Sequence, residues 1–556
     1  MLEWDGARFR LHDLASDYAR ERLLCDDDAN IDALRMEHAV HYTVVYQKAS
    51  IAYCSGDARG GLTIFRDARV EFEAAVTWLE LDTMSPLKLQ RLLLLGAAVA
   101  FAVDSWYCLE WQVVKLLAQI SAAQRLGIRE TECLMWSRLG LSRAALGQLR
   151  QAAECHVNAV RVALDLLRTP AVGIALQCNL WDAMAQGISN LALLHVDCYP
   201  SKSQRLSLRA LEISRRIGRR RGEGDALGNL GIAHVMKGDF AVALSCFSEA
   251  LNVHHASGNL LGVASCLSNM GFALVKSVLA AGLVAGHSRS GIFELDAICC
   301  GFFEHAVGAA GLRTAPEPSE SPGYAWLAAA LSSASTDSGM SRLALASRLF
   351  FLGSRIHGDI GNHRGLAYTH CMQGLAECAA GHPNRAASYF KHALRVIREH
   401  SNLFAEVNVL TNLGTVESIL GRHDHADALY DAALMVDARI QHTPSNAKAY
   451  CLFHSAIACW TAGRHSTGIA KAAAALELSR EFETPIVVRI HETLCHWRHE
   501  LTVLDSATGI TDGPGASATV MDDGFCTESL LADVDFLLMS AGIDWSNTAP
   551  MAVPRH

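Results

Sequence analysis

The segment Gly218–Leu251 reads GRRRGEGDALGNLGIAHVMKGDFAVALSCFSEAL. It returns as Gly361–Leu394, GNHRGLAYTHCMQGLAECAAGHPNRAASYFKHAL, and as Ser401–Leu434, SNLFAEVNVLTNLGTVESILGRHDHADALYDAAL. Each copy has a small residue, Gly seven later, Ala five later, an aromatic four after that, and Ala three further on. These are Gly231, Gly238, Ala243, Phe247 and Ala250; Gly374, Gly381, Ala386, Phe390 and Ala393; Gly414, Gly421, Ala426, Tyr430 and Ala433. Poorer copies start at Gly140, Ala192, Gly271 and Ala456. Small residues at fixed offsets let two antiparallel helices approach closely. The intervening Gly supplies the left-handed residue that ends the first helix. Neither helix of one pair buries its apolar face alone, so the pairs must stack.

The anchor residues 192, 231 and 271, and again 374, 414 and 456, are 39, 40, 40 and 42 residues apart. The register breaks twice. Gly140 to Ala192 is 52 residues, which requires an insertion or longer helices. Gly271 to Gly374 is 103 residues, which we read as about two degenerate repeats plus extra chain. The Pro-rich stretch Arg313–Gly323 supplies the extra chain, and Tyr324–Gly353 reads as a worn helix pair.

This pattern resembles the tetratricopeptide repeat (TPR) family in its 40-residue form, over residues 125–480. The resemblance implies an all-α, right-handed solenoid of antiparallel helix pairs that binds a protein or extended peptide in its concave groove. Asn190, Asn229, Asn269 and Asn412 each lie two residues before an anchor. In this family that position faces the groove, where an amide both donates to and accepts from a peptide backbone. The alternative is that these amides bond neighbouring helices.

The N-terminal stretch RFRLHDLASDYARER, residues 8–22, resembles the end of the winged-helix domain of STAND-type regulatory ATPases. RMEHAVHYTVVYQKA resembles the helix that follows that domain, and Phe65–Leu79 resembles the family's linker before its repeats. Glu71 and Ala68 depart from that linker motif, where the family has Asn and Glu. The resemblance hands His12 a contact with a nucleotide diphosphate. The sequence holds no G-x-x-x-x-G-K-[ST], so nothing cradles phosphates and His12 reads as structural or vestigial.

The 556 residues are 51% hydrophobic and 19% charged, enough apolar side chain for a large core. The formal net charge is −9. Residues 501–556 hold eight acidic residues and one Arg, so the remainder is near neutral and shows no nucleic-acid footprint. The 17 Cys form no CxxC pair and many fall at apolar helix positions, such as Cys246, Cys266 and Cys371. We read them as core thiols in a reducing, cytoplasmic setting. The chain opens with charged residues, unlike a signal peptide. The apolar run Leu92–Val103 is too short to cross a bilayer, and no membrane partner is expected.

Three local clusters invite chemistry. His491, Cys495 and His499 recur at i, i+4 and i+8 and are the weak candidate for zinc, against the reading of a solvated helix face. Asp424 lies between His423 and His425 but belongs to a turn. Arg215, Arg216, Arg219, Arg220 and Arg221 gather at a junction between repeats, where a solvated turn is the plain reading. No G-x-S-x-G elbow is present, and no cofactor is expected. The expectation is a non-enzymatic scaffold or sensor. The second reading is a STAND-type regulator whose ATPase lies outside this chain, and the third a metal-dependent enzyme.

Three regions follow. Residues 1–83 form the winged-helix remnant and linker helices. Residues 84–500 form the solenoid, irregular at 141–190 and 275–360. Residues 501–556 form a disordered acidic tail with an amphipathic helix at about 527–541, where Leu530, Leu531, Val534, Leu537 and Leu538 make one apolar face. That helix suits docking, onto a partner or the chain's own groove.

Overall fold

The computed structural model describes residues 2–4, 9–11, 31–54, 58–81, 85–100, 102–103, 107–169, 174–281, 339–399, 402–440 and 446–479, with the single positions 486, 490, 493 and 497. His12, the triad His491, Cys495 and His499, and the tail lie outside them. The described residues are helical apart from one antiparallel hairpin, β1 (Leu2–Trp4) with β2 (Phe9–Leu11). The chain divides into two compact units, residues 1–102 with 121–127, and residues 103–120 with 128–556.

The first unit packs α1 (Ile31–Cys54), α2 (Ala58–Leu81) and α3 (Pro86–Ala98) together. An aromatic group of Tyr46, Phe65 and Phe72 joins α1 to α2, and the Tyr46 hydroxyl donates to the Ala68 carbonyl at 2.5 Å. A side chain at Gly61 would meet the Ala49 carbonyl at 2.6 Å, so glycine is what lets α2 cross α1 there. Glu71 stands 2.8 Å from His38 across the pair. The Ser85 side chain caps α3 by accepting from the Lys88 amide, and Pro86 opens the helix.

α4 (Leu109–Leu126) belongs to the second unit up to residue 120 and to the first from residue 121, and the second unit is otherwise a solenoid of helix pairs. The pairs are α5 (Arg129–Ala145) with α6 (Leu149–Leu167), α7 (Ile174–His195) with α8 (Pro200–Arg216), and α9 (Arg220–Lys237) with α10 (Phe240–Ala256). Then come α11 (Leu260–Ala280) with α12 (Gly339–Asp359), α13 (His363–Ala379) with α14 (Pro383–Glu399), α15 (Leu403–Ile419) with α16 (His423–Asp437), and α17 (Asn446–Thr461) with α18 (His465–Ser479). Each second helix also packs on the next first helix, so the apolar core runs without a break from Cys133 to Val416.

The recurring residues explain the pairing. A Cβ built on Gly231 would stand 2.6 Å from the Phe247 ring; on Gly374 the distance to Phe390 is 2.9 Å, and on Gly414 to Tyr430 it is 2.8 Å. The aromatic therefore lies flat on the bare backbone of its own partner helix, and any larger anchor would push the pair apart. In the first pair His156 takes the aromatic slot over Gly140. The turn glycines Gly147, Gly238, Gly381, Gly421 and Gly463 all have φ between 73° and 85°, the left-handed region where a Cβ is strained.

The two breaks in register resolve differently. Of the two alternatives for the 52 residues from Gly140 to Ala192, the structure has longer helices, 19 residues in α6 and 22 in α7. Between Gly271 and Gly374 the described residues form one further helix pair, α11 with α12; residues 282–338, with the Pro-rich stretch 313–323 and the first half of 324–353, lie outside the described residues. A Cβ on Gly271 would stand 2.6 Å from the Phe350 ring, so α11 and α12 close a single anchor across the intervening chain. Spacing alone hid this, because an insertion between the two helices of one pair lengthens the interval as extra repeats would.

Successive first helices touch one another at five of six junctions, and successive second helices come less close. Curvature toward the row of first helices follows. The bend brings α5 onto α15 and seats Gly147 on Ile440.

Candidate functional site

The asparagine register runs along the row of first helices. Asn190 donates from Nδ2 to Ser137 Oγ at 3.3 Å, and Asn229 donates to Ser189 Oγ at 2.7 Å and to the Ser189 carbonyl at 3.1 Å. In both cases the serine lies three residues before the anchor of the preceding pair. A staple thus joins one first helix to the next. For Asn269 that upstream position is Gly228, which offers no hydroxyl; Asn269 Oδ1 instead accepts from the Tyr368 hydroxyl of the following pair at 2.7 Å. For Asn412 it is Cys371, and the buried Asn412 Oδ1 has no partner. In the last pair His454 takes the asparagine's place and reaches back to Thr415 Oγ1 at 2.8 Å.

Asn190, Asn229 and Asn412 are buried, and Asn269 is half-buried. The amides of Asn190, Asn229 and Asn412 lie between helices. The face that the first helices leave open is carried by Asn269 together with other residues. On α7 these are Asp182, Gln186 and Leu193; on α9 they are Arg221, Asp225 and Gly228; on α11 they are Leu261, Ser265 and Asn269. The offsets of three, four and seven put each set on one helix face. On α15 that face is closed: every residue from Ala405 to Ser418 is buried, and Asn408 is fully buried with neither amide atom paired.

The open face is polar and its charges are coupled. Arg219 donates to Asn179 Oδ1 at 2.6 Å and stands 3.6 Å from Asp182. Burial raises the Asp182 pKa against the pull of Arg219. Burial likewise pushes Asp225 up to about 6, with Arg221 opposing. His254 Nε2 stands 3.5 Å from Asp225, and its Nδ1 lies 3.0 Å from the Asn259 amide nitrogen. Asn259 caps α11 by accepting from the Gly262 amide. With Asn259 donating to Nδ1, the His254 proton sits on Nε2 and points at Asp225. Burial holds His254 down to about 4. A Cβ on Gly224 or Gly262 would stand 2.5 or 2.4 Å from the ring, so both glycines make room for it. His357, Asn362 and Gly365 repeat the arrangement one pair later. In sequence the arrangement is a histidine four residues before a Gly-Asn-x-x-Gly string, His254 before Gly258–Gly262 and His357 before Gly361–Gly365.

The arginine cluster is neutralised locally. Arg215 bonds Glu223 and Glu249, Arg216 bonds Glu212, and Arg220 bonds Glu223. Asp424 is exposed in the first turn of α16. Among the described residues no group of three His, Cys, Asp or Glu is placed to hold a metal. Cys133, Cys155, Cys266, Cys371 and Cys451 are buried and form no disulfide; burial pushes Cys133 and Cys451 up to about 12, which makes them poor nucleophiles. Leu260–Ala280 is long and apolar enough to cross a bilayer by length and composition, yet here it is α11, packed in the solenoid core.

No protein-family model matches the sequence, and no curated protein does. Solved structures do, 96 chains in all. The crystal structure of BtubC from P. vanneervenii is similar at 13% identity and a TM-score of 0.32, over 59% of this chain and 100% of that one. The Signal Transduction ATPase with Numerous Domains protein PH0952 from Pyrococcus horikoshii, with a tetratricopeptide repeat sensor, is similar at 13% identity and a TM-score of 0.33. That match covers 79% of this chain and 56% of the other, so the present chain spans about half of it.

Proposed function

We propose that this protein is a non-catalytic TPR-type scaffold or sensor that binds a protein or extended peptide along its row of first helices. The observation that carries this reading is the polar face shared by α7, α9 and α11. Gln186, Asp225, Ser265 and Asn269 fall on the open sides of first helices that touch in sequence. Such a ladder offers donors and acceptors at regular intervals, and an extended chain presents backbone amides in the same fashion. The stapled amides of Asn190 and Asn229 set the spacing of the ladder, and the open residues read the ligand.

The test uses the double substitution Gln186→Arg with Ser265→Arg. Two half-exposed residues change while the helix anchors stay. Partners recovered with the full chain from its native cell should be lost from the variant, with the far-ultraviolet circular dichroism unchanged. Equal recovery of every partner contradicts the reading. Localisation in the cytoplasm goes with it.

A second reading has one observation in its favour. The hairpin closes at Leu11, pairing Leu2 with Leu11, immediately before His12. A winged-helix domain of a STAND-type regulator would end in this way, and ATPase chemistry would then come from sequence outside this chain. Mixing the protein with candidate ATPase regions and measuring nucleotide-dependent association separates the two readings.

A further inference from the structure

His370 on α13 and His392 on α14 face each other within one helix pair. Their Nδ1 atoms are 2.9 Å apart, and the rings meet edge to face with centroids 4.6 Å apart. Both residues are half-buried, and the Tyr389 ring lies against His370. At this distance the two nitrogens accommodate one proton between them. One ring donates and the other presents its lone pair.

We propose that His370 and His392 form a two-imidazole site for a divalent transition metal of the zinc class. The two Nδ1 atoms stand 2.9 Å apart on rings held by separate helices, and with both rings carrying the proton on Nε2 they supply two of the four donors of a tetrahedral set. Metal–nitrogen bonds of about 2.0–2.1 Å at the tetrahedral angle put the nitrogens about 3.3 Å apart. The pair needs to open by only about 0.4 Å from its present spacing. The ring that carries its proton on Nδ1 moves it to Nε2 through solvent, so both rings bind as neutral imidazoles and no net proton is released. No third His, Cys, Asp or Glu joins them among the described residues. Water, or a side chain from a bound partner, completes the coordination, and the ion is exchangeable.

The experiment uses tag-free full-length protein. Zn2+ is titrated in competition with a chromophoric chelator, and Co2+ is followed by its visible absorption. The site predicts one saturable equivalent whose cobalt spectrum has the intensity of four-coordination. In His370→Gln and in His392→Gln the affinity should fall at least about tenfold, because loss of a ligand costs more than loss of an outer-sphere contact. A variant with His491, Cys495 and His499 all replaced should bind as the parent does. His392 is half-exposed, so its substitution leaves the core intact. Absence of saturable binding in the parent, or unchanged stoichiometry and affinity in both glutamine variants, overturns the proposal. In that case the pair is a hydrogen bond between two neutral rings.

Discussion

The junction between α7 and α9 and the junction between α13 and α15 share one register and differ in how it ends. At the first, Asn229 meets Ser189, and the amide finds both a hydroxyl and a carbonyl. At the second, the register sets Asn412 against Cys371, and α13 carries Met372 where α7, α9, α11 and α15 carry the asparagine. Asn412 Oδ1 and both Asn408 amide atoms stay unpaired although buried. The helices follow suit: α7 and α9 touch, whereas α13 and α15 are the one successive pair of first helices that comes less close. A thiol is a weak donor, so Cys371 at the serine position leaves the Asn412 Oδ1 without the partner that a hydroxyl would supply. The lesson is that the asparagine is half of a device. Its value depends on the residue three before the preceding anchor.

The largest expected effects test what the two junctions have in common. Phe247→Ala and Phe390→Ala should each cost about 3–5 kcal/mol in denaturant unfolding, since each ring is fully buried on a bare glycine. Costs that differ widely between them would mean the frameworks of the two junctions are not equivalent.

The histidines at the pair ends come next. The folded pKa of His357 is held down to about 3 by burial, below its ordinary value of 6.5. A lowered histidine favours the folded state while neutral. Its contribution is complete above about pH 6.5 and is lost as the pH falls toward the folded value, on the order of 3 kcal/mol or more at full protonation. Asp225, raised to about 6, acts in the opposite sense: its contribution is present in acid and declines as the pH rises from about 4 to 6. A site-resolved measurement avoids the overlap. Histidine NMR spectra should show His357 neutral down to about pH 4; titration of His357 at its ordinary value would refute the burial.

Exchanging the junction residues sharpens the contrast itself. Ser189→Cys makes the α7–α9 junction like the α13–α15 junction and should cost about 1–3 kcal/mol, because the buried Asn229 amide loses its hydroxyl. Cys371→Ser does the reverse and should gain about 1 kcal/mol by giving Asn412 Oδ1 a donor. Equal effects of the same sign would show that the staple does not set the junction. The smallest change expected is for Asn408→Leu, a gain of about 1 kcal/mol from removing an unpaired buried amide; a loss instead would reveal a partner for that amide.

Much of this was legible in the sequence. The anchor glycine, the turn glycine and the aromatic recur at fixed offsets because each meets a steric demand that few residues satisfy. The asparagine series was visible for the same reason. Its orientation was not, because one helix position serves two surfaces, and only the neighbouring Ser137, Ser189, Gly228 or Cys371 decides which. The open-face residues Gln186, Asp225 and Ser265 escaped notice because nothing restricts a half-exposed position to one residue type. The split repeat escaped notice because Gly271 and Phe350 are far apart in sequence, and local spacing carries no record of which helix returns to which.

That split repeat is the central claim, since an unbroken row of pairs depends on α12 completing α11. Gly353 and Ser268 face each other across this pair, with a Cβ on Gly353 standing 2.7 Å from Ser268 Oγ. The direct measurement is oxidation of the double variant Ser268→Cys with Gly353→Cys, followed by mass-spectrometric peptide mapping. A disulfide between positions 268 and 353 in the monomeric, helical protein is the predicted result. Failure to form it, while a matched pair of cysteines across α13 and α14 does cross-link, would contradict the pairing and with it the continuous solenoid.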